Sequence, residues 1–367
     1  MSFRPDLNPD TSDHDARSVH MFHPLYREDE VLSEIKDCLL CGWTGDGYKT
    51  VEFETQWSEF SGFSFSHFTN SSTSGLFLCL ELLRDLHGWS SEVEVITTPI
   101  TFVSTNHAIL NAGLTPVFAD VDDTLNVDPE SVKRLISPKT VAILFVGIGG
   151  NSANYKAIRE ICSVHGLKLI LDAAHMAGTR MESRHVGLDS DLTVFSFQAV
   201  KNLPICDAGM ICTNNLAISN EIKNRIWLGI SKTTYDRSLE AVDDLPVKKY
   251  KWEYDVLVKS NKYNGNSIAA SIGIVGLRYL DIDNAYRRYL AETYMMFLSE
   301  LEIKGYLSFV KHANPLESSR HLCQVILCSQ FNRNHVIAKL NEKGVYPGVH
   351  YITCLLYTSD AADDTPC

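Results

Sequence analysis

Two stretches of this sequence, VAILFV (141–146) and LKLIL (167–171), are almost continuously apolar and lack the in-out alternation of a half-exposed strand. Strands of that kind are covered on both faces, as in a parallel sheet with helices above and below it. The surrounding pattern agrees. Strands are predicted near Val93–Thr97, Pro116–Val121, Val141–Gly147, Leu167–Leu171, Leu192–Phe197 and Gly209–Thr213. Helical patterns lie between them, at about Ser74–His87, Phe102–Ala112, Pro129–Ile136 and Asn154–His165. Ahead of them, Glu28–Cys41 carries Val31, Leu32, Ile35, Leu39 and Leu40 near helical spacing and stops at Gly42. The expected fold class is therefore α/β, a three-layer sandwich with a mostly parallel central sheet, whose ligand sites gather at the carboxyl ends of the strands.

The chain has 367 residues, and a single core stops growing near that size, so a second, smaller lobe is expected. The polar stretch Ser231–Tyr250 marks the boundary. Beyond it come long helices around Ile268–Leu280 and Asn284–Leu301, a strand-like Leu322–Leu327, a helix at Asn332–Lys343 and a strand at Val345–Ile352. The expected division is a polar arm (1–20), a large domain (21–245), a small α+β lobe (246–353) and a tail (354–367). Residues 354–363, CLLYTSDAAD, read as a translated sequencing adapter, so the tail is set aside as non-native and the small lobe is expected to be truncated.

A net charge of −12, from 33 Lys and Arg against 45 Asp and Glu, leaves no broad basic face for a nucleic-acid backbone or an anionic membrane. No apolar run approaches the roughly 20 residues of a membrane helix, and the start lacks a signal-peptide layout. A cytoplasmic location is expected. The cysteines are scattered singly through apolar segments, where they act as small core residues. Cys38 and Cys41 have metal or redox spacing but no second pair, so no metal is expected. Gly147-Ile-Gly149-Gly150 imitates part of a dinucleotide fingerprint and reads as a strand-to-helix turn.

Asp172 closes the run LKLIL, placing a carboxylate at the end of a covered sheet. Burial alone would neutralise it, and a cationic partner such as a protonated pyridine nitrogen would keep it ionised. An N-cap for the following helix is the alternative. Lys201 follows the apolar DLTVFSF (191–197), where desolvation would lower its pKa and make the amine a nucleophile; the alternative is a lysine whose head reaches water. Thr69-Asn-Ser-Ser-Thr-Ser-Gly75 stands before the helix LFLCLELL, so its hydroxyls and unpaired N–H groups could cradle a phosphate, or merely cap that helix.

These elements occur among a longer series: GWTGDGYKTVEFE (42–54), TNSSTSG (69–75), TPITFVSTNHAILNAGLTPVFADVD (98–122), LILDAAHMAG (169–178), FSFQAVKNLPICDAGMI (195–211), WLGISKTTYDRS (227–238), KYNGNSIAASIGIVGLRYLD (262–281) and GVHY (348–351). In this order, the chain resembles the DegT/StrS-type nucleotide-sugar aminotransferases of the fold-type-I pyridoxal-phosphate enzymes, from about Phe22 to Tyr351. The resemblance implies pyridoxal 5'-phosphate as cofactor, L-glutamate as amino donor and a keto group of a nucleotide-linked deoxysugar as acceptor. It implies that Lys201 carries the cofactor and shuttles the proton, that Asp172 faces the pyridinium, and that His175 lies near the 3-hydroxyl. Thr73, Ser74 and Ser196 would contact the phosphate and Phe102 would stack on the ring. His175 and Phe102 could otherwise be ordinary core or helix-surface residues.

The resemblance further implies a homodimer in which a segment near Lys262 and Asn264 reaches the neighbouring site. Two departures stand out: the family's Asp-Gly-Gly is Asp207-Ala208-Gly209 here, and Gly265 replaces a usual methionine. Alternative functions are a pyridoxal-phosphate-binding regulatory or inactive homologue, or an aminotransferase acting on a cyclitol ketone.

Overall fold

The computed structural model describes residues 18–231, 233–239 and 253–353. The expected domain boundary at 245/246, most of the N-terminal arm and the tail at 354–367 lie outside the described residues.

Helices α1 (Glu28–Cys41) and α2 (Tyr48–Ser61) lead into β1 (Phe65–Thr69), α3 (Ser72–His87), β2 (Glu94–Thr97), α4 (Val103–Asn111), β3 (Thr115–Phe118), α5 (Pro129–Leu135), β4 (Thr140–Val146), α6 (Tyr155–His165) and β5 (Lys168–Asp172). A short hairpin, β6 (Arg180–Met181) and β7 (Arg184–His185), precedes β8 (Leu192–Ser196), β9 (Gly209–Thr213), α7 (Leu216–Ile226) and α8 (Thr234–Leu239). The remainder is α9 (Ser267–Ile303), β10 (Leu307–Phe309), β11 (Val325–Leu327) and α10 (Arg333–Asn341).

Seven strands form one sheet in the order β1-β9-β8-β5-β4-β2-β3. All run in one direction except β9, which pairs antiparallel with both β1 and β8. The lack of alternation in these strands now has its cause. Ile143, Phe145, Leu169 and Leu171 join one core, with Phe53 and Trp57 of α2, Ile158 of α6 and Ile274 of α9. Ala142, Leu144, Val146 and Ile170, their immediate neighbours, join the opposite core with α3, α4 and α7. Successive side chains point to opposite faces, and both faces are apolar because both are covered.

The structure differs from the sequence expectation at several elements, including α7, the β6–β7 hairpin and β10, which the sequence did not announce. Strand β1 and helix α2 were not predicted. In α2, Lys49, Thr50, Phe53, Trp57 and Ser61 are buried, and from Thr50 onward they are spaced by three or four, a pattern that a run of aromatic and β-branched residues obscures. The two long helices are one, α9, of 37 residues. No glycine or proline interrupts the acidic stretch around its middle, and Asp281 and Asp283 point outward to Arg180 and Arg27 instead of ending it. Finally, Val345–Ile352 is not a strand. Only Val345 pairs, in a single bridge to Val19. Pro347 and Gly348 follow at once, and proline has no N–H to give to a ladder.

The first half of α9 supplies Ala269, Ala270, Ile274, Leu277 and Leu280 to the large core. Its second half carries the β10–β11 hairpin. No described helix is long and apolar enough to cross a membrane.

Candidate active site

The parallel strands deliver polar residues at their carboxyl ends. Asp172 is the last residue of β5, Ser196 the last of β8 and Thr69 the last of β1. Across the sheet Ser196 pairs with Gly209, which pairs in turn with Thr69, so these three stand in one row beside the start of α3.

Asp172 is 5% exposed. Its Oδ2 accepts from the Thr105 hydroxyl at 2.7 Å and its Oδ1 from the Ala174 N–H at 3.1 Å. Burial raises its pKa, while these two donors and the charge of Lys201 oppose the rise. Lys201 follows β8 on a tight loop held by its own N–H bonding to the Gln198 carbonyl. Burial lowers its pKa to about 8, and Asp172 resists that shift. Lysine and aspartate thus feel each other without forming a close ion pair among the described residues, which leaves the carboxylate open to a further cation.

His175 is buried and well below its usual pKa through burial and the charge of Lys201, so its ring is neutral. The Gly149 N–H donates to its Nδ1 at 3.1 Å, which leaves the ring proton on Nε2. That Nε2–H meets the Tyr351 hydroxyl oxygen at 3.0 Å. The Gly147–Gly150 turn thereby fixes the tautomer of His175. Phe102, the residue before α4, is 57% exposed, and its ring lies 6.1 Å from that of Tyr351. Core packing is not its role.

At the start of α3 the Ser71 hydroxyl accepts from the Ser74 N–H, and the Ser74 hydroxyl bonds back to Ser71. Gly75 N–H is taken by the Ser71 carbonyl. The N–H groups of Ser72 and Thr73 have no acceptor among the described residues, and Thr73 is exposed. An anion is the natural complement of such a helix end. Lys262 and Asn264 lie on the same side: the Asn70 N–H bonds to the Tyr263 carbonyl, and Asn264 bridges to Thr69. With Asp46, Asn70 and Asn266 they line a cavity of about 260 Å³.

The structure thus brings Asp172, His175 and Lys201 together and puts Thr73, Ser74 and Ser196 around one helix end. Thr105, Gly149 and Tyr351 were not anticipated as site residues. Thr105 donates to a carboxylate 67 positions away, so no local spacing could reveal it.

The sequence profile of the DegT/DnrJ/EryC1/StrS aminotransferase family matches residues 26–365. The chain belongs to that family. It is 33% identical over 279 residues to the spore coat polysaccharide biosynthesis protein SpsC of Bacillus subtilis, covering 76% of this chain and 68% of SpsC. The aminotransferase TlmJ of Streptoalloteichus hindustanus is 29% identical, with a TM-score of 0.81 over 92% of this chain and 86% of TlmJ. Helicobacter pylori PseC, an aminotransferase of pseudoaminic acid biosynthesis, shares the fold with a TM-score of 0.83 at 24% identity, over 95% of this chain and 90% of PseC. The protein is thus an aminotransferase of the DegT/DnrJ/EryC1/StrS family.

Against the family's Asp-Gly-Gly, the alanine at 208 is accommodated in the core at 1% exposure, and the close approach falls on Gly209. A Cβ there would lie 2.6 Å from Ser72 N and 2.8 Å from Ser71 O. Gly209→Ala must push back the start of α3 and is expected to destabilise the fold by roughly 1–3 kcal/mol. A thermal midpoint equal to wild type would refute that crowding. The glycine at 265 likewise faces Phe68, whose ring stands where a methionine side chain would begin.

Proposed function

We propose that this chain is a pyridoxal 5'-phosphate-dependent aminotransferase that moves an amino group from L-glutamate to a keto group of a nucleotide-linked deoxysugar. The observation that carries the reading is the pair formed by Asp172 and Lys201: a buried carboxylate with neutral donors and, among the described residues, no close counter-ion, beside a buried amine of lowered pKa.

The residues present fit that cofactor. Asp172 would hold a protonated ring nitrogen, and that cation supplies the partner its burial calls for. The free N–H groups of Ser72 and Thr73, with the hydroxyls of Thr73, Ser74 and Ser196, would receive the phosphate. His175, whose Nε2–H bonds the Tyr351 hydroxyl, would lie near the 3-hydroxyl, and the exposed ring of Phe102 would cover the face of the pyridine. When bound, the cofactor supplies an electron sink for the pair of electrons released at the substrate carbon.

Lys201 does the proton work. Its Nζ, with a pKa of about 8, loses a proton far more readily than a surface lysine and can take one from the substrate carbon and return it elsewhere. Asp172, already bonded to Thr105 and Ala174, cannot swing away, so its charge stays aimed at one spot. A homodimer in which the segment near Lys262 and Asn264 reaches the neighbouring site belongs to the same reading; within one chain these two residues line a cavity with Asp46 and Asn70.

The test is optical. Purified protein with pyridoxal phosphate should be yellow, its visible band should bleach on adding L-glutamate, and 2-oxoglutarate should restore it. A yellow protein indifferent to every amino donor would overturn the transferase reading in favour of a cofactor-binding homologue without turnover.

A further inference from the structure

Lys201 is followed by Asn202, a residue 3% exposed whose side chain is fully engaged. Its Nδ2 donates to the Ser319 carbonyl at 2.8 Å and to Asn284 Oδ1 at 2.6 Å. A carbonyl can only accept, so the orientation of the Asn202 amide is fixed, and its oxygen is the atom that faces His321 Nδ1 at 2.8 Å. His321 must therefore carry its proton on Nδ1, leaving Nε2 as an acceptor. Asn284 is fixed by the same logic, since its Nδ2 donates to the Ala177 carbonyl at 2.9 Å.

The segment that delivers His321 is tied down on the other side. Ser319 Oγ donates to the His175 carbonyl at 2.7 Å, Ser319 N–H to Thr179 Oγ1 at 3.1 Å, and Ser318 Oγ to the Gly150 carbonyl at 3.0 Å. Arg320 between them adopts φ 44°, a left-handed conformation that a non-glycine residue holds only when its surroundings impose it. The His321 ring lies 4.2 Å from that of His175, and burial with the charges of Lys201, Arg287 and His350 keeps it neutral.

We propose that His321 is a positioning residue for Lys201, acting through Asn202: its Nδ1–H clamps the amide against Ser319 and Asn284 and so fixes the backbone from which the lysine extends. The clamp joins three parts of the chain, the loop after β8, the middle of α9 and the turn before β11. It ties the orientation of the lysine to the seating of the smaller hairpin region on the large sheet. The inference rests on Lys201 being the reactive amine.

The experiment measures the rate at which the full chain captures pyridoxal 5'-phosphate at Lys201, trapped with borohydride and read by peptide mass. His321→Ala and Asn202→Ala should each slow capture about tenfold, since a displacement of about an ångström is costly to a reacting group. The double variant should be no slower than either single one within about twofold, because both remove the same clamp. His321→Asn, whose amide nitrogen falls where Nδ1 stood, should restore the rate; His321→Gln, which puts its nitrogen at the Nε2 position, should not.

Additive losses in the double variant, or His321→Gln rescuing where His321→Asn does not, would overturn the clamp. Should the alanine variants fail to fold, the comparison of His321→Asn with His321→Gln decides alone. A wild-type Lys201 that captures no faster than exposed lysines such as Lys262 would overturn the reading of Lys201 itself, and this inference with it.

Discussion

Lys201→Met is expected to fold, to lose the borohydride-trapped cofactor adduct entirely, and to lose turnover by at least the roughly 10²–10⁴-fold that a general acid–base group supplies. Methionine keeps most of the volume of the lysine stem and removes only the amine, so the loss would report chemistry and not a cavity. A second signature separates this variant from one that is merely damaged. Burial lowers the folded-state pKa of Lys201 to about 8, whereas an unfolded lysine titrates near 10.4. Between those values the unfolded chain binds more protons, so wild-type stability should rise with pH across that window; below it the penalty for charging the buried amine is present in full. Lys201→Met has no amine to charge, and its thermal midpoint should lack that rise. An adduct that survives the substitution would show that another amine carries the cofactor. A pH dependence of stability identical to wild type would show that Lys201 is solvated.

Much of the architecture could be read from strands whose two faces are both covered. LKLIL and DLTVFSF admit few environments, and each ends where a parallel sheet presents its ligands, which is why Asp172 and Lys201 stood out from their flanking residues alone. Helix α2 shows where that logic stops. Phe53 and Trp57 bury against Phe195 and Phe197 of a strand far along the chain, and the pattern becomes helical only once that surface exists. Likewise, nothing near Asp281 and Asp283 announces that α9 continues, because their partners Arg180 and Arg27 are distant in sequence.

The site divides in the same way. Asp172 could be found by position, but the groups that set its chemistry could not. Thr105 supplies Asp172 with a hydroxyl from α4, while it is the neighbouring His175 that receives the Gly149 N–H, from a turn that resembled a nucleotide fingerprint. His321 reaches Asn202 across 119 residues. Such partners are chosen by the closing of the fold and leave no periodic trace in the sequence.

Asp172→Asn should separate stability from function more cleanly than any other change. Burial holds the folded-state pKa of Asp172 above the ordinary carboxylate range. For such a group the folded state binds more protons than the unfolded one, so its contribution to stability is intact below the unfolded pKa near 3.9 and is lost as pH rises through the folded pKa. Above that raised pKa the chain without cofactor therefore bears the cost of a buried charge. Asparagine removes the charge while keeping an oxygen for Thr105 or Ala174, and the thermal midpoint of the cofactor-free chain should rise by a few degrees, at about 2–4 °C per kcal/mol for a chain of this size or less. That gain should shrink as pH is lowered, because the wild-type carboxyl then becomes neutral as well. Turnover should move the other way. An amide cannot hold a protonated pyridine nitrogen, so the charge that keeps the electron sink effective disappears, and the rate should fall by roughly 10²–10³-fold, the scale seen when one preorganised electrostatic group is removed. The cofactor should still attach at Lys201, since the amine and the phosphate cradle are untouched. Near-wild-type turnover in Asp172→Asn would remove the pyridinium role, and a lowered midpoint at neutral pH would mean that the carboxylate is structurally paired.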